Sequence, residues 1–320
     1  MLKDDLLAVL INHPTWHNGT DLAGQLGVTR AGVSKAIQQL KTAGYQIEAD
    51  HAKGYRFVRT THLNQQLIQN QMAEPTKWQL EVWDEITSTQ DRAKELIANE
   101  PSDQLTAVIA NQQTAGHGRL GRTFYSPAQT GIYFSIVIPN QPIEQIAKAG
   151  LLTTSVAVVL AEELEKLIPE VKLQVKWVND LYLNQRKVAG ILTEAVLDID
   201  NQHRGSIIVG IGINLSTADF PDGIDDKVAS LKAADFDRNQ FFANFLSRFE
   251  QLNATYGDGR YLPAYRQRQL LLGRQVSLAY GSEQVTGLVQ GIDDKGALVL
   301  KLADQSLRTF DSGDVTKISW

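Results

Sequence analysis

Three glycines fall within six residues at Gly116-His117-Gly118-Arg119-Leu120-Gly121, between the apolar, β-branched runs 106–110 and 132–138. The arrangement predicts strand, loop, strand. G-x-G-x-x-G is also the spacing of a dinucleotide-binding turn, but that turn opens a helix at its third glycine and has an acidic residue about 20 positions further on. Here Arg122, Phe124, Tyr125 and Pro127 follow, and aromatics with a proline argue against a helix. What remains is a backbone able to come close to a ligand, with Arg119 and Arg122 as fixed positive charge beside it. An anionic ligand is implied. Taken alone, the run fits a flexible surface loop with solvated arginines at least as well.

A second stretch, 176–194, shifts that balance. Lys176-Trp177 closes an apolar approach (Val171, Leu173, Val175), Asn179-Asp180 follows, and the apolar runs 181–183 and 188–192 flank Asn184-Gln185-Arg186-Lys187. This is a hairpin pattern with Lys187 at the start of the return strand. A lysine beside an almost uninterrupted apolar strand is expected to be partly buried, and a buried ammonium needs an anion. Asp180 could fill that role, as could a phosphate or carboxylate of a ligand.

The N-terminal 60 residues carry a different pattern. Leu6, Leu7, Val9, Leu10 and Ile11 make one apolar helix face that Pro14 breaks; a short helix over 20–26 and a turn at Gly27 follow. Thr29 can cap a further helix whose buried face is Val33, Ala36, Ile37 and Leu40. Its other face presents Arg30, Ser34, Lys35, Gln38 and Gln39, side chains suited to base edges or phosphates. Alternation over 45–48 and 55–58 around a polar tip predicts a wing. A winged helix-turn-helix results, for DNA or, alternatively, for another protein. Seven basic and five acidic residues give this segment +2, whereas the remainder, with 24 against 31, carries −7.

Further on, residues 63–78 are polar and weakly periodic, a linker with some helix. A strand is expected at 79–83, then Ser88 with Asp91 as a capping box opening a helix to about Asn99. Apolar spacing predicts a long core helix over 143–168, a buried strand over 206–215, and an amphipathic helix over 239–265. The segment 216–232 is rich in Asp, Pro and Gly but holds Phe220; it is either a loop that orders over a nucleotide or a disordered connection. After Gly273, five short alternating segments separated by turns make a small antiparallel β-barrel.

The motifs QTAGHGRLGR, KWVNDLYLNQRKVAGIL and Gly210-Ile211-Gly212-Ile213-Asn214-Leu215, in this order and with a helix-turn-helix before them, resemble biotin protein ligase, specifically the bifunctional biotin ligase and biotin operon repressor of bacteria. The resemblance implies an α+β chain: a winged helix-turn-helix domain (1–62), a linker (63–78), a mixed-sheet catalytic domain of the biotin/lipoate ligase type (79–271) and an SH3-like C-terminal domain (272–320). It implies ATP-dependent formation of biotinyl-AMP, with Mg²⁺, and transfer of biotin to a lysine of a biotin carboxyl carrier protein, the acceptor domain of acetyl-CoA or pyruvate carboxylase. Lys187, Arg119 and Asp180 become the catalytic group, Asp180 as lysine or metal partner. Ser88, Thr89, Gln90, Gln113, His117, Gly118, Arg119 and Lys187 become biotin contacts. Gly116, Gly118, Arg119, Arg122, Asn179, Asn214 and Phe220 become ATP or adenylate contacts. Thr29, Arg30, Ser34, Lys35 and Gln38 would meet operator DNA, which a homodimer formed on adenylate binding would repress.

Two departures matter: Val178 stands where the family has proline, and His117 and Leu120 where some relatives have arginine. Fewer fixed charges on the loop predict weaker retention of the adenylate. The chain has no cysteine, which excludes disulfides, cysteine-ligated zinc and a thiolate nucleophile. It therefore lacks the nucleophile common in octanoyl transferases of related fold. A lipoate-type ligase and a ligand-sensing repressor without ligase activity are the alternatives. A start too short and acidic for a signal peptide, and no run near 18 apolar residues, predict a cytoplasmic protein without membrane association.

Overall fold

The apolar spacing of the N-terminal segment produces α1 (Leu2–Asn12), α2 (Gly19–Gln25) and α3 (Arg30–Thr42), followed by an antiparallel hairpin of β1 (Tyr45–Asp50) and β2 (Gly54–Thr60). The computed structural model describes residues 2–198 and 203–319. Leu6, Leu10, Val33, Ile37 and Leu40, all fully buried, join Leu22 and Phe57 in one core. Asn18 caps α2 by accepting from Thr20 N, and Thr29 caps α3 by accepting from Gly32 N. Across the wing, Arg56 pairs with Glu48 and lies over the Trp16 ring.

The stretch expected as a linker is largely ordered: α4 (Gln65–Gln71) buries Leu67 and Ile68, and Pro75–Lys77 forms a 3-10 turn. Asn239 receives Asn64 N on its side-chain oxygen and donates its amide to His62 O, and Arg238 donates to Thr61 O. Residues 235–244 accordingly cluster with 1–75 as one unit, and 76–234 with 245–320 form the other.

The second unit is built on a seven-stranded sheet. Its strands are β3 (Trp78–Trp83), β4 (Leu105–Ala110), β5 (Gly131–Pro142), β6 (Gln174–Lys176), β7 (Asp180–Leu183), β8 (Arg186–Leu197) and β9 (Arg204–Asn214), in the order β3-β4-β5-β9-β8-β7-β6. Only β3 and β4 run parallel, so the sheet is mixed. Its centre is buried on both faces, as the β-branched runs require: Ile132, Phe134, Ile136, Val209 and Ile213 lie on one face, and Tyr133, Val137 and Ile208 on the other. Helix α5 (Thr89–Asn99) packs on β4, β5 and β9. The single long helix expected over 143–168 is broken at Ala147-Lys148 into α6 (Ile143–Ile146) and α7 (Ala149–Leu167), the latter with residues 151–161 all buried. The helical region after residue 238 likewise divides, into α8 (Arg238–Thr255) and α9 (Leu262–Gln267), with a left-handed Gly259 between them.

The C-terminal segments form β10 (Gln275–Tyr280), β11 (Glu283–Ile292), β12 (Leu298–Lys301), β13 (Leu307–Phe310) and β14 (Asp314–Ile318), an antiparallel sheet in the order β13-β12-β11-β10-β14. It makes up the SH3-like part of the α+β architecture. Among the described residues no helix is long and apolar enough to cross a membrane.

Candidate active site

The glycine-rich turn closes on itself. Phe124 N donates to Gly116 O at 2.8 Å and Gly118 N to Arg122 O at 2.8 Å, with a single 3-10 turn at Arg119–Gly121. No α-helix opens there; the chain runs extended to Ser126 and then into β5. A Cβ on Gly116 would meet Ser126 Oγ at 2.7 Å and Gln113 Nε2 at 2.8 Å, so the first glycine of the motif allows the turn to lie on the polar side chains beneath it. Leu120, in left-handed conformation, is 79% exposed at the tip.

The hairpin of β7 and β8 turns through Asn184 and Gln185, both at positive φ, as a two-residue turn of this kind needs. A bulge between Leu181 and Tyr182 puts Asp180 opposite Gly190, and Lys187 lies across that glycine with its Nζ 2.6 Å from Asp180 Oδ1. A Cβ on Gly190 would stand 3.0 Å from the ammonium. The contact is one of charge: Asp180 Oδ1 is buried and takes no well-aligned hydrogen bond. Beside it the Trp177-Val178 peptide is cis, and Asn179 donates its amide to Ile191 O at 2.7 Å.

Arg119 reaches from the glycine loop to Asn179 Oδ1 at 3.2 Å and to Gly313 O at 3.0 Å. Arg122 pairs with Asp314, and Lys176 donates to Val315 O at 2.8 Å. The first residues of β14 thus take part in the site, which nothing local in their sequence signals. Burial opposes ionisation of Asp314, but Arg122 and the nearby Lys176 outweigh it and hold the carboxyl below its usual value. Burial lowers the Lys176 ammonium.

At the other end of the cleft, Ser88 caps α5 by accepting from Asp91 N. Thr89 donates its backbone N–H to Gln113 Oε1 at 2.8 Å, and Gln113 Nε2 donates to Ser126 Oγ at 3.0 Å. The glycines of β9 make room for these side chains. A Cβ on Gly210 would be 2.4 Å from Gln90 Oε1, and one on Gly212 would be 2.5 Å from the Phe124 ring. Asn214 donates to Ala229 O and accepts from Leu231 N, while Lys187 exchanges backbone bonds with Lys227 and Ala229. The segment 216–232 is therefore seated over the cleft by its backbone, with Phe220 edge-on to Tyr125 at 6.4 Å, rather than a disordered connection.

One cleft is lined by Ser88, Thr89, Gln90, Gln113, His117, Gly118, Arg119, Arg122, Asn179, Asp180, Lys187, Asn214 and Phe220, joined by Leu120, Ser135, Tyr125, Val228 and Asp314, which sequence reasoning did not single out as site residues. Gly116 sits beneath its wall. One end is a row of hydroxyls and amides, the other a set of cations with two carboxylates. That division suits a ligand with a neutral, hydrogen-bonding head and an anionic remainder. In the N-terminal unit, Thr29, Arg30, Ser34, Lys35 and Gln38 are exposed on one side of α3. The hydroxyl of Thr29 accepts the cap bond from Gly32 N and keeps its proton.

Comparison with known proteins finds three family models in sequence order: an HTH domain over residues 3–56, the biotin/lipoate A/B protein ligase family over 82–214, and the biotin protein ligase C terminal domain over 271–317. The chain is 31% identical to the bifunctional ligase/repressor BirA of Bacillus subtilis over 93% of both chains. It is also 31% identical to that of Escherichia coli, over 97% of this chain and 95% of the other. Among solved structures, the biotin protein ligase of Aquifex aeolicus in complex with biotin and ATP superposes with a TM-score of 0.60 at 28% identity, covering 75% of this chain and 97% of that one.

Proposed function

This chain belongs to the biotin protein ligase family, in its bifunctional ligase/repressor branch, and we propose that it activates biotin with ATP, transfers it to a carrier-protein lysine, and represses transcription in response to biotin through its N-terminal head. A carboxylate oxygen of biotin attacks the α-phosphorus of ATP, the bond to the bridging oxygen breaks and pyrophosphate leaves. The amine of the acceptor lysine then attacks the carbonyl of the mixed anhydride, gives up a proton, and AMP departs. Bringing two anions together is the obstacle, so positive charge and positioning carry the rate.

The observation that carries this reading is the approach of Lys187 to Asp180 at 2.6 Å in the same cleft as Arg119, Arg122 and the polar row. Lys187 screens the attacking carboxylate and the α-phosphate. Arg119, aimed by Asn179 and Gly313 O, binds the same anions from the opposite wall. Ser88, Thr89 and Gln113 hold the ureido ring. Phe220, Asn214 and the seated 216–232 segment exclude water from the adenylate.

Among the described residues no group of three or more His, Asp or Glu could hold a resident metal. Asp180 would hold a Mg²⁺ that arrives on ATP only where Lys187 yields its place on Oδ1, since that ion is usually held by one or two carboxylates and the substrate's phosphates. When bound, Mg²⁺ neutralises phosphate charge. The exposed Arg30, Ser34, Lys35 and Gln38 of α3 meet the major groove, and two heads in a homodimer read two half-sites.

The test is mass spectrometry of a biotin-acceptor domain incubated with the protein, ATP, Mg²⁺ and equal biotin and lipoate. One biotin-sized addition on a lysine is expected, lost in Lys187→Ala. Lipoate addition, or normal adenylation by Lys187→Ala, overturns the assignment.

A further inference from the structure

The hydrogen bonds beneath the head-group end of the cleft run in one direction. The Glu194 carboxylate accepts from Gln90 Nε2 at 2.7 Å and pairs with Lys94 Nζ at 3.0 Å. With its nitrogen so engaged, Gln90 turns its oxygen to Ser135, whose hydroxyl donates to it at 2.9 Å. A hydroxyl has one proton. The 3.0 Å contact between Ser135 Oγ and Thr89 Oγ1 therefore needs Thr89 as donor, and Thr89 Oγ1 also lies 3.1 Å from Gln113 Oε1. Whichever oxygen takes its proton, Thr89 is left to accept from a ligand. At the far end, Gln113 Nε2 donates to Ser126 Oγ, which donates to Phe124 O, so Gln113 keeps one N–H for the cleft. Ser88 Oγ accepts from Asp91 N and keeps its proton. An acceptor beside donors is the complement of a cyclic urea, which offers N–H groups beside a carbonyl.

Amides and hydroxyls can be turned round; an ionised carboxylate donates nothing. Glu194 is the member of the row that gives it direction. Burial works against its charge, but the bonds from Gln90 and Lys94 hold its carboxyl below the usual value. It lies on β8, seven residues past Lys187, outside the cleft lining.

We propose that Glu194, braced by Lys94, is a positioning residue: by fixing the Gln90 amide it holds Thr89 as an acceptor, which selects an N–H, rather than an acceptor atom, on the ligand's ring. The inference rests on the biotin reading of the cleft. In Glu194→Met the amide can flip, Ser135 can donate to Thr89, and Thr89 can donate into the cleft.

The test is calorimetric titration of the full chain with biotin and with the more weakly bound of its two cyclic carbamate analogues, in which oxygen, an acceptor, replaces one ring N–H. Glu194→Met is expected to weaken biotin binding about tenfold, the loss of one hydrogen bond to a charged partner. It should weaken the carbamate analogue, which has no N–H to lose there, much less, so that the ratio of the two dissociation constants falls. At saturating biotin, the adenylation rate should hold. Glu194→Gln retains an acceptor for Gln90 and should restore most of the ratio. Equal weakening of both ligands, no weakening of either, or no rescue by Gln overturns the proposal. Failure of the unmodified chain to bind biotin would instead overturn the reading of the cleft, before any variant is compared.

Discussion

Replacing Gly210 by Ala separates stability from ligand affinity. The new methyl group would lie 2.4 Å from Gln90 Oε1 and 3.5 Å from Ser135 Oγ, so the serine stays and the glutamine end must move. That end belongs to a flexible side chain that lines the cleft, into which it can swing. Leaving its place breaks the bond from Ser135 and the bond to the Glu194 carboxylate. Such bonds contribute about 1 kcal/mol when neutral and about 1.5–3 kcal/mol to a charged group. The displaced amide recovers part of this from water in the cleft, leaving a net destabilisation of about 1 kcal/mol or a little more. A ligand must expel the amide again without regaining the row beneath it. Biotin affinity should therefore fall by about 2–3 kcal/mol, roughly 30- to 150-fold. Thermal melting gives the first number and calorimetric titration the second. Gly150→Ala, where the methyl group meets nothing within 4 Å, is the control: it should leave biotin affinity unchanged and, as a helical Gly→Ala change, should not lower stability. A Gly210→Ala protein that binds biotin within about threefold of the unmodified chain would refute the placement of Gln90 and the head-group assignment with it.

Acid stability follows from carboxylates held low in the fold. Burial opposes ionisation of Glu163, Glu165, Glu194 and Asp314, but their basic partners outweigh it, while Arg92 is the main cause for Glu81. A depressed native pKa contributes stability that is whole above the ordinary values of 4.5 for Glu and 3.8 for Asp and is lost as pH falls through the native ones. Melting temperature should be flat from about pH 8 to 6 and drop steeply below about pH 4.5; a decline centred near pH 6.5 would implicate histidine instead. In the head, Lys35→Ala should weaken operator binding at every sequence and lower the salt slope of log K by about one, with adenylation unchanged; an unaltered slope would remove Lys35 from the phosphate contacts.

Local chemistry made much of this legible in the sequence. Apolar spacing marked α3 and its exposed face, and Thr29 announced the cap. The hairpin of β7 and β8 followed from two apolar runs around a polar tetrad, which put Lys187 beside Asp180. Asp314 was invisible because its partner Arg122 is 192 residues away and a lone aspartate in a turn carries no signal. Glu194 was hidden likewise: on an alternating strand a carboxylate looks like any solvated side chain, and only Gln90, 104 residues back, reveals its use. The segment 216–232 looked as much like disorder as like a lid because its seat on Lys187 and Asn214 is made by backbone groups, which composition does not encode. The break at Ala147-Lys148 went unseen since both sides keep helical periodicity.

The hold of Asp314 on Arg122 bears on how the enzyme lets go of what it makes. On the proposed function Arg122 would share its guanidinium between the Asp314 carboxylate, held through Nη2, and a phosphate, so part of its charge is already balanced and its pull on a departing pyrophosphate is smaller than that of an unpaired arginine. On that reading β14 would be a counterweight to the loop's charge, favouring turnover over tight retention of the leaving group.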